Sequence, residues 1–549
     1  MKFSKEYLFF LAFFFLGIGL VLYSPKANAS LELFRLPKTV RTFTHRPFRN
    51  VCNLPGNHFA KCNAKVSTLT DGVTPLSSTT PVPGSLSPGA FHTAYQLPCA
   101  PGQLVSDPCT TASSSAPIVA IVDAFHAPNI ESDLNTYSTY FGIPSCTKAN
   151  GCLTVVNQNG GSTLPTTVDA GWAMETSLDV EVAHAICQTC RILLVEANTN
   201  FFSDLATAVN TAASMGAVAI SNSYGGSEWS GEKNYDSYYN HPGVAVTVSA
   251  GDSGYGAEFP AASPHVVAVG GTTLNLFTDL TYSSETVWNG SGSGCSSYEA
   301  ANLWQTALTN WGSTNCFSSR AIADISADAD PNTGAAIFDS TPYNGQSGWW
   351  QIGGTSLSSP IIAAAYALGN PIGSNVTASS VLYANYNLTN FHDVTSGSNG
   401  TCATNMCKGG IGYDGPSGLG SLQALGAFGG IVAIPTPTPT PSGIPTPTAT
   451  PTPTPTDIIA PKVSITSPLN GSRVWRSTKV TIKASASDNV KVAKVEFYVN
   501  NVLLSTDTSS PYSAVWRVPS QRSITYTLTA KAYDTSGNTA SSSVNVTSR

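Results

Sequence analysis

Residues 435–456 are dominated by Pro-Thr repeats, and this tract limits the possible folds more than any other feature of the chain. Alternating proline and threonine supply neither the apolar side chains nor the backbone donors that a packed core requires. The tract reads as a stiff, extended spacer, reaching about 70 Å at roughly 3.1 Å per residue in a polyproline helix. The 549-residue chain must therefore fold as separate pieces on either side of it.

The longer piece changes texture at Pro117. Residues 118–122 (Ile-Val-Ala-Ile-Val) are continuously apolar, as expected of a strand buried on both faces. Helix-like segments at 173–186 and 203–215 then alternate with short strand-like runs at 192–195, 217–221, 244–249 and 266–269. That alternation predicts an α/β fold, a parallel sheet flanked by helices. Beyond the tract, residues 458–549 carry no cysteine and show period-2 patterns such as Val495/Phe497/Val499 and Leu528/Ala530/Ala532. Turn signals at Asp488-Asn489, Asn500-Asn501 and Ser536-Gly537-Asn538 punctuate them, which predicts an all-β Ig-like sandwich. The domain order is then a signal peptide at 1–29, a short N-terminal region at 30–112, an α/β domain at 113–430, a linker at 431–457 and the Ig-like domain at 458–549.

Charged residues are 11% of the chain and the formal net charge is −6, so there is no basic surface to hold nucleic acid. Sparse charge also suits a protein that works in acid. Lys2 and Lys5 precede an apolar run over 8–23, and Ala27-Asn28-Ala29 supplies a cleavage pattern, so export is expected. The 12 cysteines agree, falling into the near pairs 52/62, 99/109, 146/152, 187/190, 295/316 and 402/407.

Three distant segments carry candidate chemistry. Gly354-Thr355-Ser356 opens an apolar helix, where free N–H groups and the helix dipole favour charge developing on an oxygen. Glu175 and Asp179 lie at i and i+4 on a helix whose neighbours Trp172, Met174, Leu178, Val180 and Val182 are apolar. Two carboxyls so placed should share a proton, one serving as base while the other orients it. Asp252, in Ser249-Ala250-Gly251-Asp252-Ser253-Gly254, follows a strand; protonated, it would donate a hydrogen bond to an oxyanion. His184 on the same helix as Glu175 is a rival base.

These residues resemble the Ser-Glu-Asp set of the sedolisin (serine-carboxyl) peptidases, relatives of the subtilisins. So do Tyr140-Phe141-Gly142-Ile143-Pro144, Ser221-Asn222-Ser223-Tyr224-Gly225-Gly226 and Ala327-Asp328-Ala329-Asp330-Pro331. The resemblance, covering about 118–420, implies a subtilisin-like sheet and a secreted endopeptidase acting on proteins or peptides at acidic pH. It implies an acyl-enzyme on Ser356, with Glu175 as base, Asp179 as orienting acid and Asp252 as oxyanion donor. Asp123 and Tyr224 fall where the family extends the proton-sharing chain. Asp393-Val394 and Gly410-Ile411-Gly412-Tyr413-Asp414 resemble the family's calcium loop, implying one Ca²⁺ held by the carboxylates of Asp393 and Asp414 and the carbonyls of Val394, Gly410 and Gly412.

One departure is the N-terminal region. It is shorter than the family's folded prosegment and is stapled by cysteines, so it reads as a reduced or absent prodomain and leaves self-activation by propeptide cleavage open. A monomer is expected, and the Ig-like module reads as a spacer or a unit touching a cell surface or polysaccharide. The competing reading is a secreted binding or adhesion protein with an inert protease-like core. A third is a neutral serine hydrolase using His184.

Overall fold

The computed structural model describes residues 38–429 and 460–549, apart from 55, 57, 100–108, 490, 501, 509 and 535–537. The signal-like segment and the Pro-Thr tract thus lie outside the described residues. The chain divides into two compact units, Met1–Pro435 and Thr436–Arg549.

A ten-stranded sheet forms the centre of the first unit. From one edge inward it runs Phe391–His392, Ser421–Leu422, Ile325–Asp328, Val267–Leu276, Ala245–Ser249, Ala219–Asn222, Ile118–Ala124, Arg191–Ala197 and Leu153–Asn157. Every pairing from Ser421–Leu422 onward is parallel, while Phe391–His392 and the branch Tyr282–Val287 pair antiparallel. Residues 119–122 of the apolar run are buried because helices cover both sides of the sheet. Two of these helices, Ala170–Ile186 and Thr355–Leu368, are buried along almost their whole length. This is the parallel sheet flanked by helices that the alternation of segments predicts.

The stretch 38–112 shares this core: Val51, Val66, Phe91 and Tyr95 are buried in the same hydrophobic cluster as the sheet. Its strand Lys65–Ser67 joins an antiparallel sheet with Phe48–Asn50, Gln346–Gly353 and Ala335–Tyr343, and Lys61–Cys62 pairs with Tyr224–Ser227. The helix Pro88–Tyr95 begins at Ser87, whose hydroxyl accepts from the Ala90 N–H. In sequence, residues 30 to about 112 show short strand-like pieces and no long periodic helix. Only eight residues form this one, and Gly89 and Thr93 blur its periodicity.

Six disulfides join the near-neighbour pairs that the spacing suggested, including Cys187–Cys190. Cys146, Cys152 and His184 cluster closely, but both sulfurs are committed to a disulfide and offer no thiolate to a metal.

The second unit is a β-sandwich. One sheet contains Lys462–Ser467, Lys479–Ser487 and Ser513–Arg517; the other orders Arg473–Val474, Thr539–Ser548, Thr525–Asp534, Val492–Val499 and Val502–Asp507. Val495, Phe497, Leu528, Ala530 and Ala532, the period-2 positions of the sequence, fill its core with Ile482 and Trp516. Among the described residues, no helix is long and apolar enough to cross a membrane.

Candidate active site

The helix Ala170–Ile186 is started by Asp169, whose Oδ1 accepts from the N–H groups of Gly171 and Trp172 at 2.9 and 3.0 Å. Because it packs between the sheet and other elements, its polar residues have no solvent to face, and Glu175, Asp179, Glu181 and His184 are fully buried. Burial pushes Glu175 well above the usual carboxylate range, and the neighbouring carboxylates of Asp179, Asp123 and Asp252 add to the shift. The nearby Ser356 hydroxyl opposes it. Asp179 is likewise raised well above its ordinary value by burial and by Asp123, while Ser223 opposes the rise. Asp123, at the carboxyl end of Ile118–Ala124, is pushed by burial to about 7, with Thr176 opposing and Glu196 adding.

Neither oxygen of Asp123, Glu175 or Asp179 has a hydrogen bond of good geometry. Orphaned buried oxygens cost about 1–3 kcal/mol each when neutral and more when charged. Three adjacent carboxyls in such a site hold protons in common rather than ionising together.

The helix Thr355–Leu368 is entered through Gly354 at φ 98°. A Cβ there would stand 2.5 Å from Asp252 Oδ2 and 2.2 Å from the Asn63 carbonyl oxygen, so only glycine fits. The Thr355 N–H and hydroxyl both donate to Asp252 Oδ1, at 2.7 and 3.0 Å. That leaves Oδ2 buried and unpartnered. Burial raises Asp252 to about 6, against the pull of Lys65 and Lys61.

The Ser356 hydroxyl donates to the Ser223 carbonyl at 3.2 Å, and its N–H donates to the Asn63 carbonyl at 2.9 Å. Pro360, four residues on, has no N–H to take up the Ser356 carbonyl, which instead accepts from the Ser223 hydroxyl at 3.4 Å. Ser223 thus touches Ser356 through both its own carbonyl and its hydroxyl.

The four candidate residues from the sequence, Ser356, Glu175, Asp179 and Asp252, therefore lie in one buried constellation. His184 does not join it through a hydrogen bond: its Nε2 pairs with the Pro144 carbonyl at 2.7 Å, and burial lowers it to about 4. The Tyr224 hydroxyl donates to Asn222 Oδ1 at 2.9 Å rather than to a carboxylate. Sequence reasoning passed over Asn63 and the contact roles of Ser223 and Thr355. Nothing in a run such as Lys61-Cys62-Asn63-Ala64 signals that it crosses a site 290 residues downstream, and only the strand pairings bring it there.

The second loop gathers hard oxygen donors. Asp414 is buried; Gly410 N–H donates to its Oδ2 at 3.0 Å, while the N–H and hydroxyl of Ser417 donate to Oδ1 at 3.0 and 2.8 Å. The Gly412 N–H reaches both oxygens of Asp393 at 3.2 Å. Burial, with Asp393 adding, lifts Asp414 to about 8. Two carboxyls close enough to repel, on a glycine-rich loop, supply hard oxygen donors of the kind a divalent cation takes.

Residues 167–401 match the Subtilase family, and residues 461–530 match a bacterial Ig domain. The chain is 35% identical over 209 residues to sedolisin of Pseudomonas sp. (strain 101), covering 33% of this chain and 34% of that protein. It is 32% identical over 314 residues to kumamolisin of Bacillus sp. (strain MN-32), covering 49% and 54%. These matches span between about a third and a half of the relatives' own length. A solved structure of Pseudomonas sedolisin, complexed with two molecules of pseudo-iodotyrostatin, aligns at 28% identity with a TM-score of 0.49, over 62% of this chain and 95% of that one. The Subtilase match contains Glu175, Asp179, Asp252, Ser356 and Asp393, whereas Asp414 falls beyond it.

Proposed function

We propose that this chain is an exported serine-carboxyl endopeptidase that hydrolyses peptide bonds in acid through an acyl-enzyme on Ser356. The observation that carries the reading is the pairing of two environments. Around Glu175, Asp179 and Asp123, burial favours shared protons; at Asp252, Oδ1 is tied to Thr355 and Oδ2 is left without a partner.

In this reading Glu175 takes the Ser356 proton as Oγ attacks a carbonyl carbon, and Asp179 holds the proton that keeps Glu175 oriented. The oxyanion receives hydrogen bonds from the Ser356 N–H and from protonated Asp252 Oδ2. Glu175 then passes its proton to the departing amine, and water repeats the sequence on the ester. Pro360 supports this chemistry by releasing the Ser356 carbonyl to Ser223, which fixes the turn carrying the nucleophile. The loop of Asp393, Val394, Gly410, Gly412 and Asp414 would hold one Ca²⁺, whose charge would stabilise two neighbouring carboxylates. The leader at 1–29, the α/β domain at 113–430, the linker at 431–457 and the Ig-like domain at 458–549 make a secreted enzyme with an accessory module, acting as a monomer on protein or peptide substrates.

The test is digestion of casein at pH 3 to 4 by the purified chain and by its Ser356→Ala variant. Loss of digestion in the variant supports the reading. Equal digestion by both removes Ser356 as nucleophile, and absence of digestion by both favours the inert binding protein.

A further inference from the structure

A fourth buried carboxyl lies beyond the three already described. Asp123, on the strand Ile118–Ala124, stands in register with Glu196 on the parallel strand Arg191–Ala197. Paired strands run about 4.8 Å apart, so the two side chains are neighbours on one face of the sheet. Both are fully buried. Burial removes the screening that would let two adjacent carboxylates ionise together, so one of them must keep its proton.

Their hydrogen bonds decide which one. Glu196 Oε1 accepts from the Ala127 N–H at 3.0 Å, and its Oε1 and Oε2 lie 3.0 and 2.8 Å from His126 Nδ1. Neither oxygen of Asp123 has a hydrogen bond of good geometry. A carboxyl that collects donors keeps its negative charge, and one without them keeps its proton. The backbone is arranged for this. Just past the strand, the Phe125 N–H donates to the Ala197 carbonyl at 2.8 Å and the His126 N–H to the Thr167 carbonyl at 2.9 Å, which brings the imidazole to Glu196.

The surrounding charges act in the same sense. Asp123 is faced by Glu196 along the sheet, by Glu175 and Asp179 from the helix Ala170–Ile186, and by Tyr224, all of them acids. Glu196 is faced by His126 and by Lys148, which also pairs with Glu131 at 3.7 Å; its neighbour on the other strand, Asn157, is uncharged. Burial raises both carboxyls, but Ala127, His126 and Lys148 pull Glu196 back, whereas Asp123 reaches about 7. Glu196 has no exposed side-chain surface, while the His126 side chain is 24% exposed, so the pair connects the buried carboxyls to solvent.

We infer that Glu196, held by His126, is a positioning residue for the catalytic couple: its negative charge keeps the proton on Asp123 and drives the remaining negative charge toward Glu175. The inference rests on the serine-carboxyl reading above and adds a residue to it. Of the three carboxyls, Glu175 is the one beside the Ser356 hydroxyl. It must be unprotonated to take the serine proton. If Asp123 ionised instead, Glu175 would hold a proton and could not accept another. No bond forms or breaks at Glu196. Its influence exists only while it is ionised, so it is absent at the acid end and grows as pH rises.

Glu196→Gln removes the charge and keeps the size of the side chain. Steady-state kinetics on a peptide substrate, kept below the pH at which Asp252 loses its proton, should show a pH-dependent defect. Its kcat should lie within about twofold of wild type at pH 3 and about three- to tenfold lower at pH 5.5, with KM unchanged. His126→Gln leaves Glu196 without its cation and should reproduce that defect, and the double variant should fall no further than the larger single one. Infrared spectra in the Ser356→Ala background read the proton itself. The protonated-carboxyl absorption that Asp123→Asn abolishes should titrate at least about half a pH unit lower once Glu196 is glutamine. An unchanged titration overturns the inference, as does a kcat loss that is equal at every pH, which marks a residue felt through packing alone. A chain that fails to digest casein while the absorption still shifts ends the endopeptidase reading and leaves the hold of Glu196 on Asp123 standing.

Discussion

Thr355 holds Asp252 by two hydrogen bonds to a single oxygen, N–H at 2.7 Å and hydroxyl at 3.0 Å, so the other carboxyl oxygen is free for a partner that is not part of the resting fold. A carboxyl can donate from that oxygen only while protonated, and burial raises Asp252 to about 6. Its donor is therefore present below that pH and lost above it.

Replacing Asp252 tests this directly. Asp252→Ala should lower kcat by about 10²–10³, the usual effect of removing one oxyanion donor. Asp252→Asn keeps an N–H donor at every pH, so the fall in kcat that the wild type shows above pH 6 should flatten in this variant. Steady-state kinetics from pH 3 to 8 checks both expectations.

The two rival bases separate cleanly. Glu175→Gln should cost at least about 10³ in kcat with little change in KM, because the lost interaction belongs to the transition state. His184→Ala removes a buried ring and its bond to the Pro144 carbonyl. It should lower the melting temperature while kcat per folded molecule stays within about threefold, as expected of a residue whose loss is felt in stability alone.

Stability should decline as pH rises. Asp252, Asp123, Glu285 and Asp339 are raised by burial to between about 6 and 7, and Glu175, Asp179, Glu181 and Asp328 lie higher than their ordinary range. Between their unfolded values near 4 and these folded values, the native state binds more protons than the unfolded chain. Each such carboxyl then removes about 1.4 kcal/mol of stability per pH unit. His184 and His392, lowered by burial to about 4, act in the opposite sense over part of the window but are fewer. Denaturant unfolding of the Ser356→Ala variant should show a midpoint that falls from pH 4 to 7.

Removal of divalent cation should expose the cost of the Asp393 and Asp414 loop. A chelator near neutral pH should lower the melting temperature, and added Ca²⁺ should restore it in a concentration-dependent way. Asp414→Asn should lower it without chelator and abolish the response. Calorimetry with and without Ca²⁺ reads both effects.

Much of the architecture was legible in the residues because its causes are local. The continuous apolar run at 118–122 and the Val-rich stretch at 244–248 read as buried strands, and the helical segments alternating with them point to parallel pairing. Near-neighbour cysteine spacing likewise anticipated all six disulfides. Glu175 and Asp179 stood out because like charges one turn apart, among apolar neighbours, destabilise a helix unless the fold uses them. The helix Pro88–Tyr95 escaped notice because its glycine and threonine weaken the pattern, and tertiary burial of Phe91 and Tyr95 is what holds it.

The order of residues alone decided which side chains could share a helix, a strand or a disulfide loop, since those relations depend on spacing along the chain. Tertiary structure alone decided that Asn63 meets Ser356, that Ser223 binds the serine on two sides, and that His184 is spent on a backbone carbonyl. Those meetings join segments scores to hundreds of residues apart, and their geometry is set by sheet pairing and packing density, which leave no period or motif in the chain to be read.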